Sequence, residues 1–247
     1  MKKAFCVFVL FLLAGCVSVT KMTVVPLPRP TPDVAINSPV LSSIRSIAVL
    51  PFEDSDKIRR TALPSPPFPK GTIKQRYPYT HDGEVIADGI TTYLAKSFQF
   101  KMIDRKNVKE LLQEQAFQVS GVVNESKAVQ VGKLVGADAI LFGKVNSCLL
   151  DKQWKYKGKS YITQEIAILN VDFKLIHVES GEVAVIAHHE LTTQHLMNAP
   201  VEMVNTKIVE NPNYYTSRTP GLDQVIKSLL DETLQPVINA KRSSTVK

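Results

Sequence analysis

Residues 166–178 read IAILNVDFKLIHV, and this stretch decides the fold class. Ala167, Leu169, Val171, Phe173 and Leu175 fall on one face of an extended chain, and Asn170, Asp172 and Lys174 fall on the other. Side chains alternate with period two along a strand, so the pattern is that of an antiparallel strand buried on one face. Glu179-Ser180-Gly181 then makes a tight turn into a further strand over 182–191. Upstream, residues 139–145 (AILFGKV) form a short apolar run and read as a strand. So does Ile47-Ala48-Val49-Leu50 within 44–52, stopped by Pro51.

Between these strands the apolar period lengthens to that of a helix. Residues 84–98 place Ile86, Ile90, Tyr93 and Leu94 on one helical face. Residues 100–103 make a short strand, and Asp104 is placed to cap a helix carrying the stripe Val108, Leu111, Leu112 and Gln115. A third helix over 125–135 turns Ala128, Val131, Leu134 and Val135 inward, and Gly136 stands where a left-handed C-terminal residue belongs. Leu222, Val225, Ile226, Leu229 and Leu230 form the face of a last helix. The order β-α-β-α-α-β-β-β-α is that of an α+β domain, a mixed sheet covered by helices.

The N-terminus is a different kind of sequence. Lys2 and Lys3 precede an unbroken apolar run over 4–14 that is too short for a permanent membrane span of about 20 residues. It has the length of a signal-peptide core. The run closes with Leu13-Ala14-Gly15-Cys16, which is similar to the bacterial lipobox. That resemblance implies diacylglycerol on the Cys16 sulfur, cleavage after Gly15, and acylation of the new amino group by a chain such as palmitate. Val17 stands where enteric sorting reads an inner-membrane Asp, so in a Gram-negative source the expected address is the periplasmic face of the outer membrane.

Residues 17–43 hold Pro26, Pro28, Pro30, Pro32 and Pro39 with no apolar periodicity, the composition of an extended tether reaching about 80 Å. The expected organisation is a signal peptide over 1–15, lipidated Cys16 with a Pro-rich linker through 43, one domain over 44–238 and a polar tail over 239–247. Residues 53–80, with five prolines and six basic residues, read as a long insertion inside the domain, open to partner contact or to a structureless loop. The formal charge is +7, but residues 1–43 carry four basic and one acidic residue, so the high isoelectric point owes much to the signal and linker. It does not argue for nucleic acid.

Several strings resemble the CsgG family of curli-secretion lipoproteins: residues 47–52 (IAVLPF), Ile103-Asp104-Arg105 with residues 111–114 (LLQE), Gly132 with residues 136–143 (GADAILFG), and residues 171–183 around Ser180-Gly181-Glu182. The exopolysaccharide-export lipoprotein PelC and LpoB, the activator of a peptidoglycan synthase, use the same fold. The resemblance implies a lipid-anchored component of an envelope secretion or assembly machine, a homo-oligomer with a ring as one form, and no enzyme activity or cofactor. The alternative it implies is an LpoB-like regulator that docks on a peptidoglycan synthase. CsgG itself builds a shared transmembrane barrel from two long hairpins. At the corresponding places this chain offers 147–165, rich in lysine, and 189–220, with Pro200 and Pro212 and no clear apolar band. Extension of the neighbouring core strands would supply more length, so a barrel stays open.

Signatures of catalysis are weak. His177, His188, His189 and His195 cluster in sequence, but on one continuous strand His189 and His195 would stand about 20 Å apart; solvated strand histidines are expected, and no metal. Cys148 is the only thiol left besides Cys16 in a processed chain, so an intramolecular disulfide is excluded and a quiet thiol expected. Residues 136–145 fail the phosphate-loop pattern, and Glu53, Asp54 and Asp56 read as solvated loop carboxylates. The sharpest surface feature is Trp154, Lys155, Tyr156 and Lys157, where aromatics alternate with cations. That composition suits a partner contact or a membrane interface.

Overall fold

The computed structural model describes residues 20–54, 71–78, 82–114, 125–157, 160–205 and 221–245. In chain order the elements are β1 (Thr20–Val24), β2 (Asp33–Ile36), α1 (Ser38–Ser43), β3 (Ser46–Val49), β4 (Gly71–Pro78), α2 (Asp82–Ser97) and β5 (Lys101–Met102). There follow α3 (Arg105–Glu114), α4 (Glu125–Val135), β6 (Ala139–Lys157), β7 (Ser160–His177), β8 (Val183–Thr192), a 3-10 turn (Thr193–Leu196), β9 (Val201–Asn205) and α5 (Leu222–Thr245).

The alternating stretch lies in β7, and its odd-numbered residues from Ala167 to Leu175 are all buried. Around it the sheet runs β2-β8-β7-β6-β3-β5, with β4 added along the outer half of β6. β3 pairs in parallel with β5 and β6, and the other ladders of this sheet are antiparallel. The sheet is therefore mixed, as the sequence implies. The apolar face packs against α1, α2 and α5 in one large cluster that includes Ile47, Ile90, Leu141, Leu169 and Leu229. On the opposite face α3 and α4 cover a smaller cluster built on Ala48, Leu50, Val131 and Ile140.

Local signals act where the sequence puts them. Asp104 Oδ1 accepts the Lys106 N–H at 2.9 Å, capping α3. Gly136 has φ of +66°, and Ala137 N donates to Gly132 O at 3.1 Å, closing α4. Asp138 joins β3 to β6: its carboxylate accepts the N–H groups of Arg45 and Ser46, each at 2.9 Å. Burial works against ionisation of this carboxyl, but those donors prevail and hold its pKa below the ordinary value. Leu134 departs from expectation, because it is 49% exposed rather than inward. Gln115 lies outside the described residues.

Both ends of the expected domain move outward. The linker read over 16–43 contains β1, β2 and α1, with Val24 and Leu41 buried. β2 needs no apolar run of its own, because it is an edge strand hydrogen-bonded to β8 from Asp33↔His188 to Ile36↔Val185. The polar tail read over 239–247 is helical through Thr245. Lys241 there is buried and its Nζ donates to the carbonyls of Leu41, Ser42 and Ile44 at 3.3, 2.8 and 2.6 Å. A lysine that closes the end of α1 reads in sequence as a solvated charge.

The long insertion read over 53–80, open to partner contact or to a structureless loop, holds β4, paired antiparallel with β6 from Gly71↔Tyr156 to Pro78↔Leu149. Its partner exists because β6 runs past residue 145 to Lys157, paired with β7 out to Ser160. A register shift between Val145 and Ser147 marks where the covered half ends and this extension begins.

Candidate functional site

The helices leave part of the sheet open. α3 and α4 shield β3 and the first residues of β6, while the polar positions of β6, β7 and β8 beyond them stay accessible. Asn146 Nδ2 donates to Asn170 Oδ1 at 3.0 Å and to Asp172 Oδ2 at 2.6 Å. Asn170 Nδ2 donates onward to Glu190 Oε2 at 2.8 Å. His188 Nδ1 meets the other oxygen of Asp172. Lys174 reaches Glu125 on α4 at 2.6 Å, and Lys144 reaches Glu53 at 3.7 Å. This ladder across three strands consists of the even-numbered residues of the alternating stretch, their cross-strand neighbours, and Asn146 at the register shift of β6.

Beside the ladder lies a cleft of about 340 Å³, lined in part by Pro51, Phe142, Lys144, Asp172, Ile186 and His188. Ile186 is 45% exposed. Gly143 forms the floor: a Cβ there would stand 2.2 Å from the Asp172 carbonyl oxygen and 2.5 Å from Phe52 Cε1. A side chain at this position would push the two strands apart. The arrangement offers recognition, with fixed donors and acceptors alongside an apolar trough.

The sequence candidates distribute unevenly over this framework. Glu53 bridges by its backbone to Gly143 and Val145 and belongs to the rim of the cleft. Asp54 instead accepts the Gly83 N–H at 2.9 Å at the start of α2, and Asp56 lies outside the described residues. Cys148 is buried on the helix-covered face, and burial, with the Asp82 charge, pushes its thiol up to about 12. It is therefore a protonated thiol at neutral pH.

The histidines do not behave as four solvated strand residues. His177 and His188 are partly exposed, but the His189 ring is fully buried, with Nε2 2.9 Å from Glu232 Oε2 on α5. Glu232 also accepts from Arg29, whose Nε lies 2.8 Å from Oε1. β8 stops at Thr192 and the chain folds into a 3-10 turn, which brings His195 back to where the charges of His189 and Glu232 act on it. The continuous-strand spacing in the sequence reading therefore does not apply. Among the described residues no group of three or more His, Cys, Asp or Glu side chains is placed to hold a metal.

Trp154, Lys155, Tyr156 and Lys157 occupy consecutive positions at the outer end of β6, opposite Thr163, Ile162, Tyr161 and Ser160 of β7. The structure brings them to β4 and not to the cleft. Cys16 lies outside the described residues. Among those residues no helix is long and apolar enough to cross a membrane. Sequence reading missed the ladder and the Arg29–Glu232–His189 cluster. The polar half of the alternating stretch was the available signal for the ladder, but Glu232 and Arg29 are 203 positions apart and nothing local marks them.

The family model described as "Curli production assembly/transport component CsgG" matches residues 36–195. The chain belongs to the CsgG family. It is thus a protein of the cell envelope, and the matched region takes in the open sheet face, the cleft and the whole β6–β7 hairpin. The match starts at Ile36, the last residue of β2, and takes in the whole of α1. No curated protein matches the chain. Among solved structures it is similar to the PelC dodecamer from Paraburkholderia phytofirmans, at 14% identity over 89% of this chain and 96% of that one, with a TM-score of 0.39. It is similar to the LpoB C-terminal domain from Salmonella enterica at 11% identity over 63% and 95%, with a TM-score of 0.36. Lipoprotein GNA1162 from Neisseria meningitidis gives 11% identity over 79% and 99%, with a TM-score of 0.39.

Proposed function

We propose that the protein is a lipid-anchored component of an envelope secretion or assembly machine, held by acylated Cys16 at the periplasmic face of the outer membrane. It acts by binding and scaffolding, as a homo-oligomer, without a cofactor and without catalysis. The observation that carries this reading is the CsgG-family match over 36–195. The lipobox at Leu13-Ala14-Gly15-Cys16 supports the anchor. The open polar ladder and its cleft support a working surface that binds protein, and a Cys148 thiol held protonated gives no ready nucleophile.

The test is mass measurement on protein extracted from membranes in mild detergent. The expected N-terminal peptide begins at Cys16 and carries diacylglycerol and a further acyl chain. The expected native mass is a multiple of the protomer. A peptide that begins elsewhere, or carries no lipid, overturns the anchor. A strict monomer overturns the oligomer and favours a regulator that docks singly on a synthase.

A further inference from the structure

We propose that Phe98 and the cations around it form a docking surface for an acidic protein, with the Phe98 ring as its anchor. The proposal rests on the reading that the protein works by binding protein, and it holds for a monomer and an oligomer alike. The surface is separate from the cleft. It lies where α2 closes, at the end of the sheet at which β6 begins.

α2 ends at Ser97, and Phe98 N donates to Ala95 O at 3.2 Å. Phe98 then takes a φ of +56°, and it is the one non-glycine residue with positive φ among the described residues. A helix that closes through the left-handed region favours glycine, as α4 does at Gly136. A residue with a Cβ raises the backbone energy there. Phe98 does not offset that cost by packing, because it is 90% exposed. Two residues on, Phe100 is buried in the main core. A single exposed apolar side chain is ordinary on a protein surface. One held out by a left-handed backbone is not, and such strain gathers where a protein does its work.

The surroundings of Phe98 are cationic. Lys101 N donates to Arg45 O at 2.8 Å, which sets this turn beside the start of β3. Lys241 Nζ stands 5.8 Å from the centroid of the Phe100 ring, which brings the last turns of α5 to the same end. Arg45, Lys96, Lys101 and Arg242 are all exposed there. Residues 37–46, 93–103 and 233–245 hold these four cations and Lys241, and no Asp or Glu.

The nearby carboxylates do not neutralise this collar. Asp138 is held by the N–H groups of Arg45 and Ser46. Asp231 acts on the Tyr93 hydroxyl, more than a helical turn before Phe98. Glu179 and Glu182 lie on the turn between β7 and β8. β7 is three strand spacings from β5, about 14 Å. That exceeds the screening length of about 10 Å at 0.1 M salt.

Charge decides the occupant. A second copy that offered the same face would set cation against cation. A protein that offers carboxylates around an apolar hollow meets both features at once. An aromatic anchor inside a polar rim is the arrangement that carries most of the binding energy in protein interfaces.

The test places a photoreactive ring at the anchor. The full chain carrying Phe98→p-benzoylphenylalanine would be irradiated in the cells that produce it, and the adduct sequenced by mass spectrometry. The expected adduct joins position 98 to a peptide of another protein that carries net negative charge. With Lys96→Gln and Lys101→Gln added, its yield should fall about fivefold or more. With Lys96→Arg and Lys101→Arg it should persist. The same probe at the exposed Leu134 should not give it. An adduct with a second copy overturns the acidic partner in favour of self-association, and an adduct with lipid overturns it in favour of a membrane contact. No adduct, or a yield that ignores the two lysines, overturns the docking surface. None of these outcomes bears on the lipid anchor or the native mass, which are tested separately above. Phe98→Gly supplies a second readout, because glycine relieves the left-handed turn. Its urea midpoint is expected to rise; a lower midpoint would show that the ring serves the fold itself and would overturn the proposal.

Discussion

His195 shows how one side chain can tie stability to acidity. Its Nδ1 accepts the Thr192 N–H at 3.1 Å, so the ring is needed in its neutral form to close the turn that follows β8. Burial disfavours the cation and is the largest influence on it. Glu190 and Glu232 favour the cation, His189 and Arg29 oppose it, and the net result is a pKa below the ordinary histidine value. The folded protein therefore binds this proton less readily than the unfolded chain. The associated stability is complete above about pH 6.5 and is lost as pH falls from there through the lowered folded value. The urea midpoint is expected to drop between pH 7 and pH 5. In His195→Asn, whose Oδ1 can still accept the Thr192 N–H, the drop should be measurably smaller. An identical pH profile in the variant would remove His195 from this role.

At the scale of elements, α5 fastens the N-terminal segment to the sheet through Glu232. One carboxylate oxygen receives Arg29, ahead of β2, and the other meets His189 of β8. The two contacts differ in environment: the Arg29 side chain is 51% exposed, whereas that of His189 is 0% exposed and its Nδ1 has no hydrogen-bond partner among the described residues. An exposed ion pair is worth at most about 1 kcal/mol. Removing the only partner of a buried polar group costs about 1–3 kcal/mol. Glu232→Ala is accordingly expected to lose about 2–3 kcal/mol in urea unfolding and Arg29→Ala about 1 kcal/mol or less. Equal losses would mean that the helix is held by the arginine and not by the buried histidine. None of this is legible in sequence, because a glutamate at position 232 of an amphipathic helix looks the same whether it faces solvent or a buried ring. The extent of the hairpin was hidden for a related reason. Beyond residue 145 the lysines break the apolar alternation, and only pairing between the two strands shows that the ladder continues to Lys157↔Ser160.

Across the whole molecule, what could be read in sequence was whatever buries itself through a periodic apolar face. β7, β8, α2 and the buried face of α5 fall in that class, and so the fold class followed. What could not be read is held by backbone pairing or by long side chains. β2 is an edge strand with a weak pattern, β4 lies among prolines, and Lys241 is a cation that caps another element. These misread parts decide where the folding unit begins. A chain started at Ile44, the boundary suggested by composition, loses β2 and α1. β8 then has a bare edge along four paired positions, Leu41 leaves a hole in the main core, and the Lys241 ammonium, buried against α1, loses its carbonyl acceptors at Leu41 and Ser42. A core cavity of leucine size alone costs about 3 kcal/mol, a large part of the stability of a typical domain. A chain comprising residues 44–247 is expected to unfold at a clearly lower urea midpoint than one comprising residues 20–247, as followed by far-ultraviolet circular dichroism. Equal midpoints for the two would show that the segment before Ile44 is only a tether and that the body folds without it.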